Sequence, residues 1–67
     1  MSSWNYRVIN RAGDFAIHEV FYDESGKVKG WTETPVFPRA ESLEGLAAEL
    51  ACYADAIHKP VIIDTES

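Results

Sequence analysis

The stretch S-L-E-G-L-A-A-E-L-A-C-Y-A-D-A-I-H, residues 42–58, decides the fold. Leu43, Leu46, Ala47, Leu50, Tyr53, Ala54 and Ile57 recur at intervals of three and four, which on a 3.6-residue period is one apolar stripe of an amphipathic helix. Ser42 supplies an N-cap hydroxyl for the free amides of the first turn, and Glu41 and Glu44 set negative charge at the positive end of the helix dipole. His58 and Lys59 stand at the other end, and Pro60, which has no backbone donor, stops the helix. Such a stripe needs a sheet to cover. On the opposite side Ala48, Cys52 and Ala56 lie four apart with Gly45 and Glu49 beside them, a smooth surface. Two readings fit it: alanine is simply the best helix former, or a helix of a second copy or a partner packs there.

The residues before the helix supply the sheet. Residues 4–10, W-N-Y-R-V-I-N, alternate large apolar with polar side chains and predict a half-buried strand. Residues 11–14 form a turn in which Gly13 takes a positive φ and Asp14 bonds its own backbone. In residues 15–22 one face carries Phe15, Ile17 and Phe21 and the other Ala16, Val20 and Tyr22, so this is the central strand. Asp23-Glu24-Ser25-Gly26 is a hairpin turn. A third strand over residues 27–34 runs into Pro35, which belongs on an open edge, and Pro35-Val36-Phe37-Pro38 is an extended connector with Phe37 under the helix start. After the helix, residues 60–64, P-V-I-I-D, predict a short fourth strand, followed by a frayed end at residues 65–67.

The expected fold class is therefore α+β, in the order β-β-β-α-β: an antiparallel three-stranded meander, one helix on one face, and a fourth strand returning parallel to the first in spatial order 3-2-1-4. Residues 1–67 make a single small domain, ordered over about residues 4–64. One helix covers one face, so the other face is expected to expose apolar side chains of the central strand, and an open apolar face marks an interface. The candidate interface residues are Trp4, Tyr6, Phe21 and Trp31 on the sheet and Ala48 and Cys52 on the helix.

Composition narrows the partners. A net charge of −5 with six Lys and Arg spread along the chain disfavours nucleic acid. No run approaches a membrane span, no basic leader opens the sequence, and a lone cysteine suits the reducing cytoplasm. No cofactor and no Cys/His metal cluster are expected. A chain this short without disulfide or metal is expected to form a homodimer or to bind another protein.

Catalytic readings are thin. His18 and Glu19 are adjacent on a strand and point to opposite faces; His18 can pair with Glu33 or Thr32 across the hairpin, which reads as structural pairing before general-base chemistry. His58 is explained by the helix end. Cys52 lies beside Glu49 and Asp55 and lacks the basic neighbours that activate a thiol. Trp4, Tyr6, Tyr22 and Trp31 without interleaved Lys or Arg read as core or interface, not as a base-stacking surface.

The runs W-N-Y-R-V-I, A-I-H-E-V-F-Y-D, G-W-T-E-T-P and E-S-L-E-G-L, spread over nearly the whole chain, resemble a group of short bacterial proteins of uncharacterised function. The order of elements and the S-L-E entry to the helix are similar, in architecture, to HicB-like antitoxin modules, whose β-β-β-α-β core binds a small toxin. That likeness implies an antitoxin-type or nucleic-acid-associated regulator as the alternative to a plain binding module. It does not extend to a DNA-binding segment, which weighs against repression.

Overall fold

The computed structural model describes residues 3–65, so the fraying expected at Glu66 and Ser67 lies outside the described residues. The elements are β1 (Ser3–Arg11), β2 (Asp14–Tyr22), β3 (Val28–Trp31), α1 (Leu43–Ile57) and β4 (Ile62–Asp64). They form one α+β unit whose sheet runs β3-β2-β1-β4, with β4 parallel to β1 and the other pairs antiparallel. A strand entering from a helix that crosses the sheet returns in that direction, which is why the order could be read before the structure.

Both hairpin turns follow from local chemistry. Arg11 pairs with Asp14, leaving Ala12 and Gly13 as a two-residue loop with φ of 53° and 86°. Two positive φ values give the turn a twist that matches the strands it joins. The backbone bond expected of Asp14 is made instead by Asn10, whose Oδ1 accepts from the Gly13 amide at 3.0 Å. In the second turn Asp23 Oδ1 accepts from the Ser25 amide, the Ser25 hydroxyl and the Lys27 amide at 2.9, 2.7 and 3.0 Å.

Regular pairing of β3 ends at Trp31, short of the expected residue 34. The connector nonetheless stays on β2: the Thr32 amide donates to Glu19 O at 3.0 Å and the Val36 amide to Ile17 O at 2.9 Å. Pro35 falls between these inward donors, where its missing N–H faces the open edge. The fourth strand is likewise shorter than residues 60–64, because Pro60 and Val61 serve the turn out of the helix.

Helix α1 has the expected caps, with Ser42 Oγ accepting from the Gly45 amide at 3.0 Å and Lys59 ion-paired to Asp55 one turn back. Its orientation differs from expectation. Tyr53 and Ala56 are buried and Gly45, Leu46 and Glu49 half-buried, so the helix docks along the boundary between the stripe and the smooth side, with Ala48 and Cys52 of the smooth side exposed. Of the expected stripe, Leu46 and Tyr53 meet the sheet; Leu43, Ala47, Leu50, Ala54 and Ile57 are exposed. The reason is volume. The Tyr6 ring stands up from β1 against Tyr53, centroids 4.7 Å apart, with the Trp4 ring edge-on to it at 5.3 Å. Small residues admit those rings; a row of leucines would not.

The far face of the sheet also differs. Rather than lying open, Ile9, Val20 and His18 on that face are buried. The sheet curls, and Trp31, paired with Val20, comes over it from one edge while β4 approaches from the other. Phe37, expected under the helix start, is exposed beside it.

Candidate functional site

Three regions carry polar or apolar groups in arrangements that a binding partner or substrate would use. The first lies on the curled face. A cleft of about 570 Å³ runs between the β3 and β4 edges, lined by Trp31, Glu33, Arg11 and Asp64 among others. Arg11 Nε donates to Asp64 Oδ2 at 2.8 Å, so Arg11 is already neutralised, and Lys29 is the other cation of the lining. Elsewhere on this face, outside the cleft lining, the Tyr22 hydroxyl donates to Asn5 Oδ1 at 2.7 Å and accepts from Arg7 Nη1 at 2.9 Å, and Arg7 Nη2 donates to Pro60 O at 2.6 Å. His18 Nδ1 lies 2.7 Å from the Thr32 carbonyl, which only accepts, so Nδ1 carries the proton. The Thr32 pairing expected across the hairpin is thus present, made to the backbone.

The second region is the contact of helix and β1. Tyr6 donates its hydroxyl to Glu49 Oε1 at 2.7 Å. That bond to a carboxylate, then burial, then the charge of Glu49 hold the Tyr6 phenol well above its ordinary range. Burial, with Glu49 and Glu19 nearby, raises Tyr53 too. Both phenols stay protonated and act as fixed props. Among the described residues no group of three His, Cys, Asp or Glu side chains converges to hold a metal ion.

The third region is the helix flank that the docking leaves bare. Leu43, Leu50 and Ile57 are 82%, 50% and 64% exposed, with Ala47 and Ala54 between them. At the C-terminal end of this flank, Val8, Phe15, Ala16, Ile17, Ile57 and Val61 line an apolar recess of about 360 Å³. Phe15 and Val61 are themselves exposed at its rim. A chain whose buried apolar residues are Val8, Ile9, Val20, Tyr53 and Ala56 has left more large apolar side chains outside than inside.

The residues singled out from the sequence are divided among these regions. Trp4, Tyr6 and Phe21 lie on the helix side of the sheet, Trp4 exposed and the other two half-buried; Trp31 lies on the curled face. The four aromatics Trp4, Tyr6, Tyr22 and Trp31 therefore do not share a surface. Ala48 and Cys52 are exposed on the helix, Cys52 beside Trp4 and Lys59 along a shallow groove. The residues missed as surface are Leu43, Leu50, Ile57, Phe15 and Val61. A signal for them was present: Leu43, Ala47, Leu50, Ala54 and Ile57 follow a four-three-four-three spacing, the repeat of a helix seam that faces another helix.

No protein-family model matches the chain, and neither a curated protein nor a solved structure matches it. No helix among the described residues is long and apolar enough to cross a membrane.

Proposed function

We propose that the chain is a small protein-binding module whose contact surface is the bare flank of α1. The observation that carries this reading is the exposure of Leu43, Leu50 and Ile57 in one row beside an apolar recess, since a contiguous apolar patch on a small domain is a site of association. Charge favours a protein partner over a nucleic acid: the net charge is −5, Arg7, Arg11 and Lys59 are engaged by Tyr22 and Pro60, Asp64 and Asp55, and the other cations, Lys27 and Lys29 on the hairpin and Arg39 on the connector, are few. A lone exposed thiol at Cys52 fits a reducing cytoplasm. The antitoxin-type alternative rests on the β3-β2-β1-β4 order, and its partner would be a small toxin.

The test is a photo-reactive phenylalanine analogue at position 50, with position 29 on the hairpin as control, irradiated in living cells. Discrete protein adducts at position 50 and none at position 29 are expected. Equal or absent adducts at both would overturn the reading.

A further inference from the structure

The partner that this flank fits best is a second copy of the chain. Resting on the reading above, we propose that two copies pair through antiparallel α1 helices, Leu50 against Ala54 of the second copy and Ala47 against its Ile57. Leu43 of each then enters the other's recess between Ile57, Val61, Phe15 and Val8.

Three observations on the same element carry this. The first is size alternation. In the exposed row Leu43-Ala47-Leu50-Ala54-Ile57 large and small residues alternate, and close packing needs a small residue opposite each large one. Antiparallel pairing about an axis between Leu50 and Ala54 gives that at four positions, Leu50 and Ile57 of each copy lying on Ala54 and Ala47 of the other. Parallel, in-register pairing would set Leu50 on Leu50 and leave the alanines facing a gap.

The second is a knob and a hole. Leu43 is the most exposed large apolar residue described, and the recess sits at the opposite end of the same helix. A two-fold axis across the helix brings each knob to the other copy's hole, which makes the surface self-complementary, as a closed dimer requires.

The third is the helix dipole. Antiparallel pairing opposes the two helix dipoles, whereas parallel pairing sets like end beside like end. Side-chain charge adds little at the C-terminal end, where Lys59 is already ion-paired with Asp55.

Light scattering of the purified chain across a concentration series is the first measurement, with a mass approaching twice 7.5 kDa expected. The geometry is then read by oxidising single-cysteine proteins in a Cys52→Ser background, Ala47→Cys and Ile57→Cys, separately and mixed. Both positions are exposed, so the fold tolerates the changes. A disulfide that forms in the mixture and in neither protein alone is expected. Leu43→Glu is expected to weaken dimerisation by at least about tenfold while Ala48→Glu leaves it unchanged. Self-linking of Ala47→Cys would mean parallel helices, and a dimer linked through the native Cys52 would place the contact on the Ala48 and Cys52 side; either overturns the proposal. So does a monomer up to about 1 mM. If that monomer still gives photo-adducts with another protein at position 50, the binding surface stands and the second copy falls; without adducts both fall.

Discussion

Tyr6 and Glu49 join the sheet to the helix through one 2.7 Å hydrogen bond, the phenol donating to the carboxylate. It is made 43 residues apart in sequence, and it ties the inward side of α1 to β1. Tyr6→Phe keeps the ring against Tyr53 but leaves a half-buried carboxylate without its donor, and is expected to cost about 1–2 kcal/mol in chemical denaturation.

The same bond sets a response to alkali. The folded Tyr6 phenol titrates above its unfolded value of about 10, so its contribution is fully present below that pH and is lost as pH rises through it toward the folded value. Melting temperature is therefore expected to fall between about pH 9.5 and 11, with a shallower slope in Tyr6→Phe. Tyr53, raised mainly by burial, keeps some slope in the variant. Identical slopes would remove Tyr6 as the source.

Helix orientation is where sequence and structure part. The existence, ends and caps of α1, both turns and the strand order were legible because each rests on local chemistry: a hydroxyl before a periodic run, glycine where φ is positive, proline at an edge. Which side of the helix docks was not, because the period of Leu43, Leu50 and Ile57 reports an apolar side without saying what covers it. The docked side carries Gly45, Leu46, Glu49, Tyr53 and Ala56, and its position follows from Tyr6, whose ring packs on Tyr53 and whose hydroxyl bonds Glu49. The curl of the sheet on the face that buries Val20 and His18 was equally hidden, since the approach of the β3 and β4 edges is a long-range property that no local run of residues reports.

That orientation has a direct mutational consequence. Ala56 is 1% exposed, and Ala56→Leu would force extra atoms between helix and sheet, with an expected loss of about 1–3 kcal/mol. Leu50→Gln, compared at a protein concentration at which light scattering gives the monomer mass, is expected to change stability by less than about 0.5 kcal/mol. The reverse pattern in urea titrations would show the helix turned the other way.

At the first hairpin, Ala12 holds φ of 53°, a conformation in which its Cβ crowds the following carbonyl. Asparagine tolerates this better, and Asn-Gly is the favoured pair for such a turn. Ala12→Asn is expected to stabilise the chain by about 0.5–1 kcal/mol, seen as a rise of roughly 3–6 °C in melting temperature.

Asp23 gives the acid side. Its carboxylate accepts from the Ser25 hydroxyl first and the Lys27 amide next, which lowers its pKa. A lowered folded value means stability that is present above the unfolded value of about 3.9 and lost as pH falls through the folded one. Asp23→Ala is expected to be less stable than the parent at pH 7, and the two denaturation curves are expected to converge as pH falls below the lowered folded value. A difference that persists at low pH would assign the turn's stability to the backbone alone.

His18 tests the curled face. Its buried ring gives its Nδ1 proton to the Thr32 carbonyl at the point where β3 leaves its regular pairing, so the ring ties the connector to β2 as well as filling space beneath Trp31. His18→Phe keeps a ring and loses the donor. If the hydrogen bond matters, the variant should lose about 1–2 kcal/mol, and the Thr32 and Val36 amides, which continue the ladder, should exchange faster than those of β1. If ring packing alone matters, stability stays near the parent's and exchange is unchanged. A histidine kept for chemistry would give this second pattern as well, so it is the loss of stability together with faster exchange at Thr32 and Val36 that assigns His18 to the structure.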